Sequence, residues 1–467
     1  MPLNRRQLLH RGAAGAGLVV VGNLSGIFPS VARAGNPAGK RLLNGGTLGT
    51  ARSASTGYGR LVPDSAKILD LPEGFTYKII SEAGKPLADG GALPDRFDGT
   101  GLFDRDGTSF LVRNSEQDLE STYPTKAAAE FTYDPVAEGG TTTTEVDAEL
   151  NVVNEYVSLA GTAVNCAGGV TPWGTWLTCE ETEDVTGDGG FTKDHGFVFE
   201  VDPFNIENNM NPTPLEGLGR FAHEAIAVDP TTGVLYLTED ASGPNGLLYR
   251  ATPTNATGAY GSLREGATLE ALVASDGGSF VADLSQYSEI GTILTTGWAG
   301  IIDPLAVEDS TRVQLNKVTR ARKLEGAWWG NDAAYIACSY ARNDDGSIGE
   351  HDGQVWKLDP AAETMELVVQ FGVNPDPQSD TFDSPDNLTV APWGGLVLCS
   401  DGEGVQHLFT VSVEGEPLIF ARNVRDAAEE TGSEFTGAAF SADGRTLFAN
   451  FQEPGITFAI TGPWQQS

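Results

Sequence analysis

Cysteine, histidine and methionine are scarce in this chain, with four, five and three residues respectively. Each shortage excludes something. Cys166, Cys179, Cys338 and Cys399 form no C-x-x-C pair, which removes a zinc ribbon or a thioredoxin-type redox motif. No two histidines stand in an H-x-x-x-H spacing, so a metal site here must use mainly oxygen ligands with one or two sulfurs at most. Basic side chains are also few: 29 Lys and Arg face 64 Asp and Glu, for a net charge of −35. Nucleic-acid binding needs a basic footprint and is not expected. Beyond the N-terminal segment no apolar run is long enough to span a bilayer. There is no G-x-S-x-G nucleophile elbow either.

What is present starts with Asn4-Arg5-Arg6-Gln7-Leu8-Leu9, an apolar stretch from Ala13 to Phe28, and the small-residue pattern Ala32-Arg33-Ala34. That order reads as a twin-arginine-type signal peptide over residues 1–34 rather than a basic N-terminal arm, followed by one mature domain over residues 35–467. Gly22, Asn23, Ser25 and Gly26 interrupt the apolar part, so no stable membrane anchor is expected. The protein is expected to be exported, to a periplasm or the exterior, and to act as a monomer. Export permits disulfides, and Cys338–Cys399 and Cys166–Cys179 pairs both stay open on sequence alone.

Internal repeats decide the fold class. Six segments share a polar or thiol residue, a short apolar strand, a tight turn and a second apolar strand. They open at Asp98, Cys166, Glu224, Glu325, Asp386 and Glu434, with turns such as Asp106-Gly107, Trp173-Gly174, Thr232-Gly233, Gly394-Gly395 and Asp443-Gly444. Alternating strands joined by such turns are hairpins. Further strands follow several of them, for instance Gly196 to Val201 and Gln354 to Leu358. Repeated four-stranded units predict an all-β, six-bladed β-propeller with inserted loops, the largest between the third and fourth units. The competing architecture is a two-sheet sandwich. A short helix is expected only at Ala427 to Thr431.

In a propeller the first strand of each unit lines the axis, so the six opening residues converge on one mouth. Five are carboxylates and the sixth is a thiol. Gathering like charges is unfavourable unless cations join them. A thiolate with hard carboxylates suits iron, and all-oxygen loops suit calcium. Asp184 to Gly189 and Asn343 to Gly346 have calcium-loop composition, although Asp/Gly-rich turns are common. His223, beside Glu224, is read as orienting that carboxylate rather than shuttling protons, and Cys179 as packing.

The densest stretch is Asn165-Cys166-Ala167-Gly168-Gly169-Val170-Thr171-Pro172-Trp173-Gly174-Thr175-Trp176-Leu177-Thr178-Cys179-Glu180-Glu181. With Gly219 to Ala225, Leu324 to Trp328, Ser384 to Leu388 and Glu434 to Gly437, it resembles the PhoX-type alkaline phosphatases over essentially the whole mature chain. The resemblance implies a six-bladed propeller with ferric iron and calcium at the axis that hydrolyses phosphate esters. It implies Cys166 as the sulfur ligand of iron and Glu224 and Glu325 as carboxylate ligands. Glu434, Asp386, Glu180 and Glu181 lie in motifs with calcium-binding or supporting roles.

Two positions depart from the family pattern where substrate would be held. Lys323 stands where an arginine is usual, and Thr182 where an asparagine is usual. A lysine keeps the charge but loses the bidentate fork. Phosphate monoesters are the expected substrates. The alternatives are a calcium-dependent propeller lactonase, which needs no thiolate, and a non-catalytic propeller that binds phosphate or another ligand.

Overall fold

The computed structural model describes residues 57–464, apart from 89, 120, 256–257, 340–352, 373–383, 403, 413 and 426–432. The signal segment, the helix expected at 427–431 and the loop at 343–346 lie outside the described residues. Each of the six sequence repeats folds as an antiparallel hairpin. Asp106 and Gly107 show why: both take positive φ, 53° and 83°, the backbone of a two-residue turn whose twist matches the flanking strands.

The first strands of the hairpins are β1 (Phe97–Arg105), β2 (Asn165–Val170), β3 (His223–Val228), β4 (Leu324–Gly330), β5 (Pro385–Val390) and β6 (Phe435–Phe440). Each touches the next in chain order, and β6 touches β1, so the six line a common axis. Thr76–Glu82 pairs with Ile456–Thr461 and completes the last unit with chain from the start of the domain. Aromatic side chains including Phe97, Trp176, Phe199, Phe221, Phe409, Phe435 and Phe448 are fully buried. Among the described residues the only helices are short 3-10 turns, and none could cross a membrane.

This is the expected all-β, propeller-like arrangement, not a sandwich. Among the described residues the hydrogen-bonded sheets nevertheless number five, where six separate blades were expected. The inserted segment explains the difference. Its strand Ile293–Gly300 pairs with Ala267–Asp276 on one side and Thr364–Gln370 on the other. The third and fourth units are thereby joined along their outer edges into one ten-stranded sheet.

One irregularity recurs in all six units and aims the site. In β1 to β5 the register slips by one residue across Asp98-Gly99, Cys166-Ala167, Glu224-Ala225, Glu325-Gly326 and Asp386-Asn387. In β6 it slips across Gly437-Ala438, just after Glu434. An extra residue in one strand bends it and redirects a side chain. The bulges also bring the inner strands into contact, and the residue after the aimed side chain is glycine or alanine in β1 to β4. A Cβ on Gly99 would lie 2.6 Å from Ala167 Cα and 2.9 Å from Cys166 O.

Gly99→Val is expected to destabilise the fold by about 1–3 kcal/mol through overpacking. Gly300→Ala, with nothing within 4 Å of its would-be Cβ, is the neutral control. Denaturant unfolding of both variants checks this, and equal stability would show that close strand approach is not the constraint.

Candidate metal centre

Asp98, Cys166, Glu224, Glu325 and Asp386 sit in the bulges of β1 to β5, Glu434 immediately precedes β6, and all six are buried. A second tier comes from the residue after the second strand of each hairpin: Glu116, Glu181, Asp240, Ser339, Asp401 and Gln452. Four of these are acids, and sequence reading named only Glu181. The rest carried a usable signal, since each follows the second strand of its own repeat.

The backbone holds the two tiers together by a repeated device. Arg96, Val164, Lys323 and Ser384, each two residues before its inward side chain, take left-handed φ values of 46° to 52°. Their carbonyls accept from the N–H of Glu116, Glu181, Ser339 and Asp401 at 2.9 to 3.0 Å. Non-glycine residues rarely adopt that conformation, and strain of this kind gathers at functional sites. Side chains from neighbouring units satisfy the bulge carbonyls. Asn114 donates to Cys166 O and Ala167 O, Thr238 to Glu325 O, and Asn450 to Asp98 O.

Three groups of ligand-type atoms form, each with its atoms within 4.8 Å of one another: Cys166 with Glu181 and Glu224, Glu224 with Glu325 and Asp386, and Asp386 with Asp401 and Glu434. They share members, so they run as one chain around the axis. The Cys166 thiol donates to Glu224 Oε2 at 3.1 Å. Burial first, then the charges of Glu224, Glu181, Glu116 and Asp98, push that thiol well above its ordinary pKa. Burial and the charges of Asp401, Asp386, Asp98 and Glu116 do the same to Glu434. Glu434 Oε2 is buried with no hydrogen-bond partner among the described residues. These donors fit a metal: hard oxygens with one sulfur, pressed together until protonation or a cation must relieve them.

Glu180 does not join this set. It ends the strand that Glu181 follows, and consecutive extended residues send their side chains to opposite faces. Its carboxylate accepts from the N–H of Ala163, Gly196 and Phe197 and bonds His195 Nδ1 at 2.6 Å. With its lone pairs committed to the protein, it latches the following loop. Glu239, next to Asp240, repeats this with Leu247 N, Tyr249 and Arg312.

Thr182 is placed off the axis, its hydroxyl donating to Asp184 Oδ2 at 2.8 Å. Lys323 is at the ring, with its ammonium 3.0 Å from Glu325 Oε1 and 3.1 Å from Asp240 Oδ2. His223 stacks on Phe221 and donates from Nε2 to Gly219 O at 3.1 Å rather than orienting Glu224, and burial pulls it down to about 3, so it stays neutral. The four cysteines are all free and buried, so neither open disulfide pairing forms. Among the described residues, 184–189 gather no group of three metal-ligating side chains.

An all-β, propeller-like protein with an acidic, thiol-bearing axis is the class that fold and site define. The chain matches the alkaline phosphatase PhoX family over residues 56–155 and 147–455, and it belongs to that family. No curated protein matches it. Among solved structures it is similar to the PQQ domain of pyranose dehydrogenase from Coprinopsis cinerea, with 11% identity and a TM-score of 0.40 over 85% of this chain and 98% of that one. It is also similar to an oligogalacturonate lyase in complex with manganese, with 13% identity and a TM-score of 0.36 over 88% and 98%.

His195 lies between Glu180 and Asp134, and all three side chains are inaccessible. Burial opposes its charge, but Glu180 and Asp134 outweigh burial and raise its pKa above 6.5. Its contribution to stability is therefore complete below about pH 6.5 and disappears as pH rises through the folded pKa. His195→Gln is expected to cost roughly 3–5 kcal/mol at pH 6. Unfolding measured across pH should show that difference shrinking as pH rises; a pH-independent difference would contradict a charged His195.

Proposed function

We propose that this protein is an exported phosphatase that hydrolyses phosphate monoesters at an iron and calcium centre on the axis of a six-bladed propeller. The six-blade count treats the ten-stranded sheet as two blades joined by Ile293–Gly300, which the six-membered ring of inner strands supports. We take residues 1–34 as a twin-arginine-type signal and 35–467 as one mature domain acting as a monomer. Membership of the PhoX family supports the reaction class. The observation that carries the reading is the cluster of Cys166, Glu181 and Glu224, where a buried thiol meets two carboxylates.

In this reading Cys166, Glu224 and Glu325 would hold iron, and Glu181, Asp386, Asp401 and Glu434 would hold calcium. Bound cations would supply the positive charge against which a phosphoryl transition state develops. The chain's own residues do the rest. The bulges fix Cys166, Glu224, Glu325 and Asp386 on paired strands before any cation arrives. Lys323 adds a positive charge beside the ring where a phosphate dianion enters. Thr182 shapes the loop after Glu181 through Asp184 and makes no direct contact with substrate in this scheme. Cys166 must give up its proton when it ligates, so loading releases protons.

The test is metal analysis of the purified mature protein together with hydrolysis of p-nitrophenyl phosphate, with Cys166→Ala alongside. Iron and calcium are expected in the wild type. Cys166→Ala should lose the iron and at least about 100-fold in activity, as ligand-set changes do. A metal-free protein that still hydrolyses the ester would sink the proposal. A calcium-only protein that opens lactones and spares phosphate esters would favour the lactonase.

A further inference from the structure

The sixfold repeat makes equivalent positions comparable. At each junction the comparable set is the inward residue of the first unit, its second-tier residue, and the inward residue of the next unit. Between units two and three these are Cys166, Glu181 and Glu224; between units five and six they are Asp386, Asp401 and Glu434. Both triads converge within 4.8 Å. Between units three and four the equivalent set is Glu224, Asp240 and Glu325. There the ammonium of Lys323 lies 3.0 Å from Glu325 Oε1 and 3.1 Å from Asp240 Oδ2, bridging the second tier of one unit to the inward residue of the next.

We propose that Lys323 is a built-in cation that occupies the third of these equivalent triads and keeps a divalent ion out of it. The inference rests on reading the axis as a cation centre, and it goes beyond that reading by saying which position the protein fills itself. Three observations support it. The ammonium bridges two carboxylates on adjacent units, as a cation seated in the other two triads would. Its backbone slot is the repeated left-handed position two residues before the inward side chain, also held by Arg96, Val164 and Ser384. The other cation in such a slot, Arg96, pairs with Asp118 and Glu453 instead, so it is the ion pairs of Lys323 with the ring that set it apart. Two residues before Glu224 the chain has Ala222, and two before Glu434 it has Gly432, neither of which carries a charge.

A lysine can play this part because its ammonium is a compact point charge on a flexible stem. Glu325 is buried and Ser339 also donates to its Oε1 at 2.5 Å, so that oxygen is held by two donors. A tethered monovalent charge offsets part of the acidic field without an equilibrium for its loss. A calcium ion there would need further oxygen ligands to complete six to eight.

The experiment counts calcium on the full mature chain. Wild type, Lys323→Met and Lys323→Arg are stripped with a chelator and titrated by equilibrium dialysis and calorimetry, with Tm read in chelator and in calcium. Lys323→Met is expected to bind one more calcium ion per chain than wild type, to melt lower in chelator and to recover with calcium. Lys323→Arg should bind the wild-type number, and Asp240→Asn added to Lys323→Met should abolish the extra ion. A Lys323→Met chain that folds only when calcium is present supports the proposal. The same stoichiometry and calcium response in wild type and Lys323→Met would overturn it, as would a Lys323→Met chain unfolded with and without calcium, because calcium would then not replace the ammonium. Wild type that binds no metal while Lys323→Met binds one ion would sink the proposed centre and leave this inference standing.

Discussion

Repulsion among carboxylates brought together out of water is the constraint on which the rest of this structure depends. Five buried acids and a thiol face a common axis, with four more acids one tier away. A chain with 64 acidic and 29 basic residues has few cations to place there. Lys323 supplies one of them, through its ion pairs with Glu325 and Asp240. Protonation can absorb part of the repulsion, which is the direction in which Cys166 and Glu434 are pushed. Divalent or trivalent ions can absorb more of it, and they do so at fixed positions because the strands cannot relax.

The irregularities of the scaffold accordingly serve to aim side chains. Bulges and left-handed entries are individually unfavourable, and regular antiparallel strands would need neither of them. Their repetition shows a cost borne in unit after unit for one geometrical result. Consecutive residues at the second-strand ends then divide the labour. Glu180 and Glu239 face away and bind loop amides; Glu181 and Asp240 face inward. The loop latch and the ligand are thereby coupled through one peptide unit, and the buried His195 completes the latch on its far side.

Much of this was legible in the sequence. The six inward residues could be read because each opens a repeat, and alternation plus turn residues places it at the start of an inner strand. The repeats also pointed to the all-β class. Glu180 and Glu181 are not told apart in sequence because a double glutamate carries no mark of which member faces the axis; the strand's two-residue period settles that only once the register is known. Glu116, Asp240 and Asp401 are marked only by following the second strand of their repeats, a signal that the first strands do not carry. The welding of the third and fourth units could not be seen in Ile293–Gly300, whose mixture of small, polar and aromatic residues gives no alternation that marks a bridging strand. Thr182 shows a further limit: a family position names a slot, while the hydroxyl's partner, Asp184, depends on how the loop turns.

Repetition and its breaking together explain how one acidic ring can acquire distinct positions. Six identical units would present six identical triads, and nothing would distinguish where one kind of ion or a substrate belongs. Here the second unit supplies the sulfur, the fourth and sixth place neutral Ser339 and Gln452 in the outer tier, and the approach to Glu325 carries Lys323. Softness rises at Cys166, negative charge thins at Ser339 and Gln452, and a fixed positive charge sits between Asp240 and Glu325. A substituent carrying two negative charges would meet an axis that is electrostatically lopsided. That asymmetry, imposed on a symmetric backbone by single residues at equivalent positions, is what can turn a ring of acids into a site with a preferred orientation for its ligand.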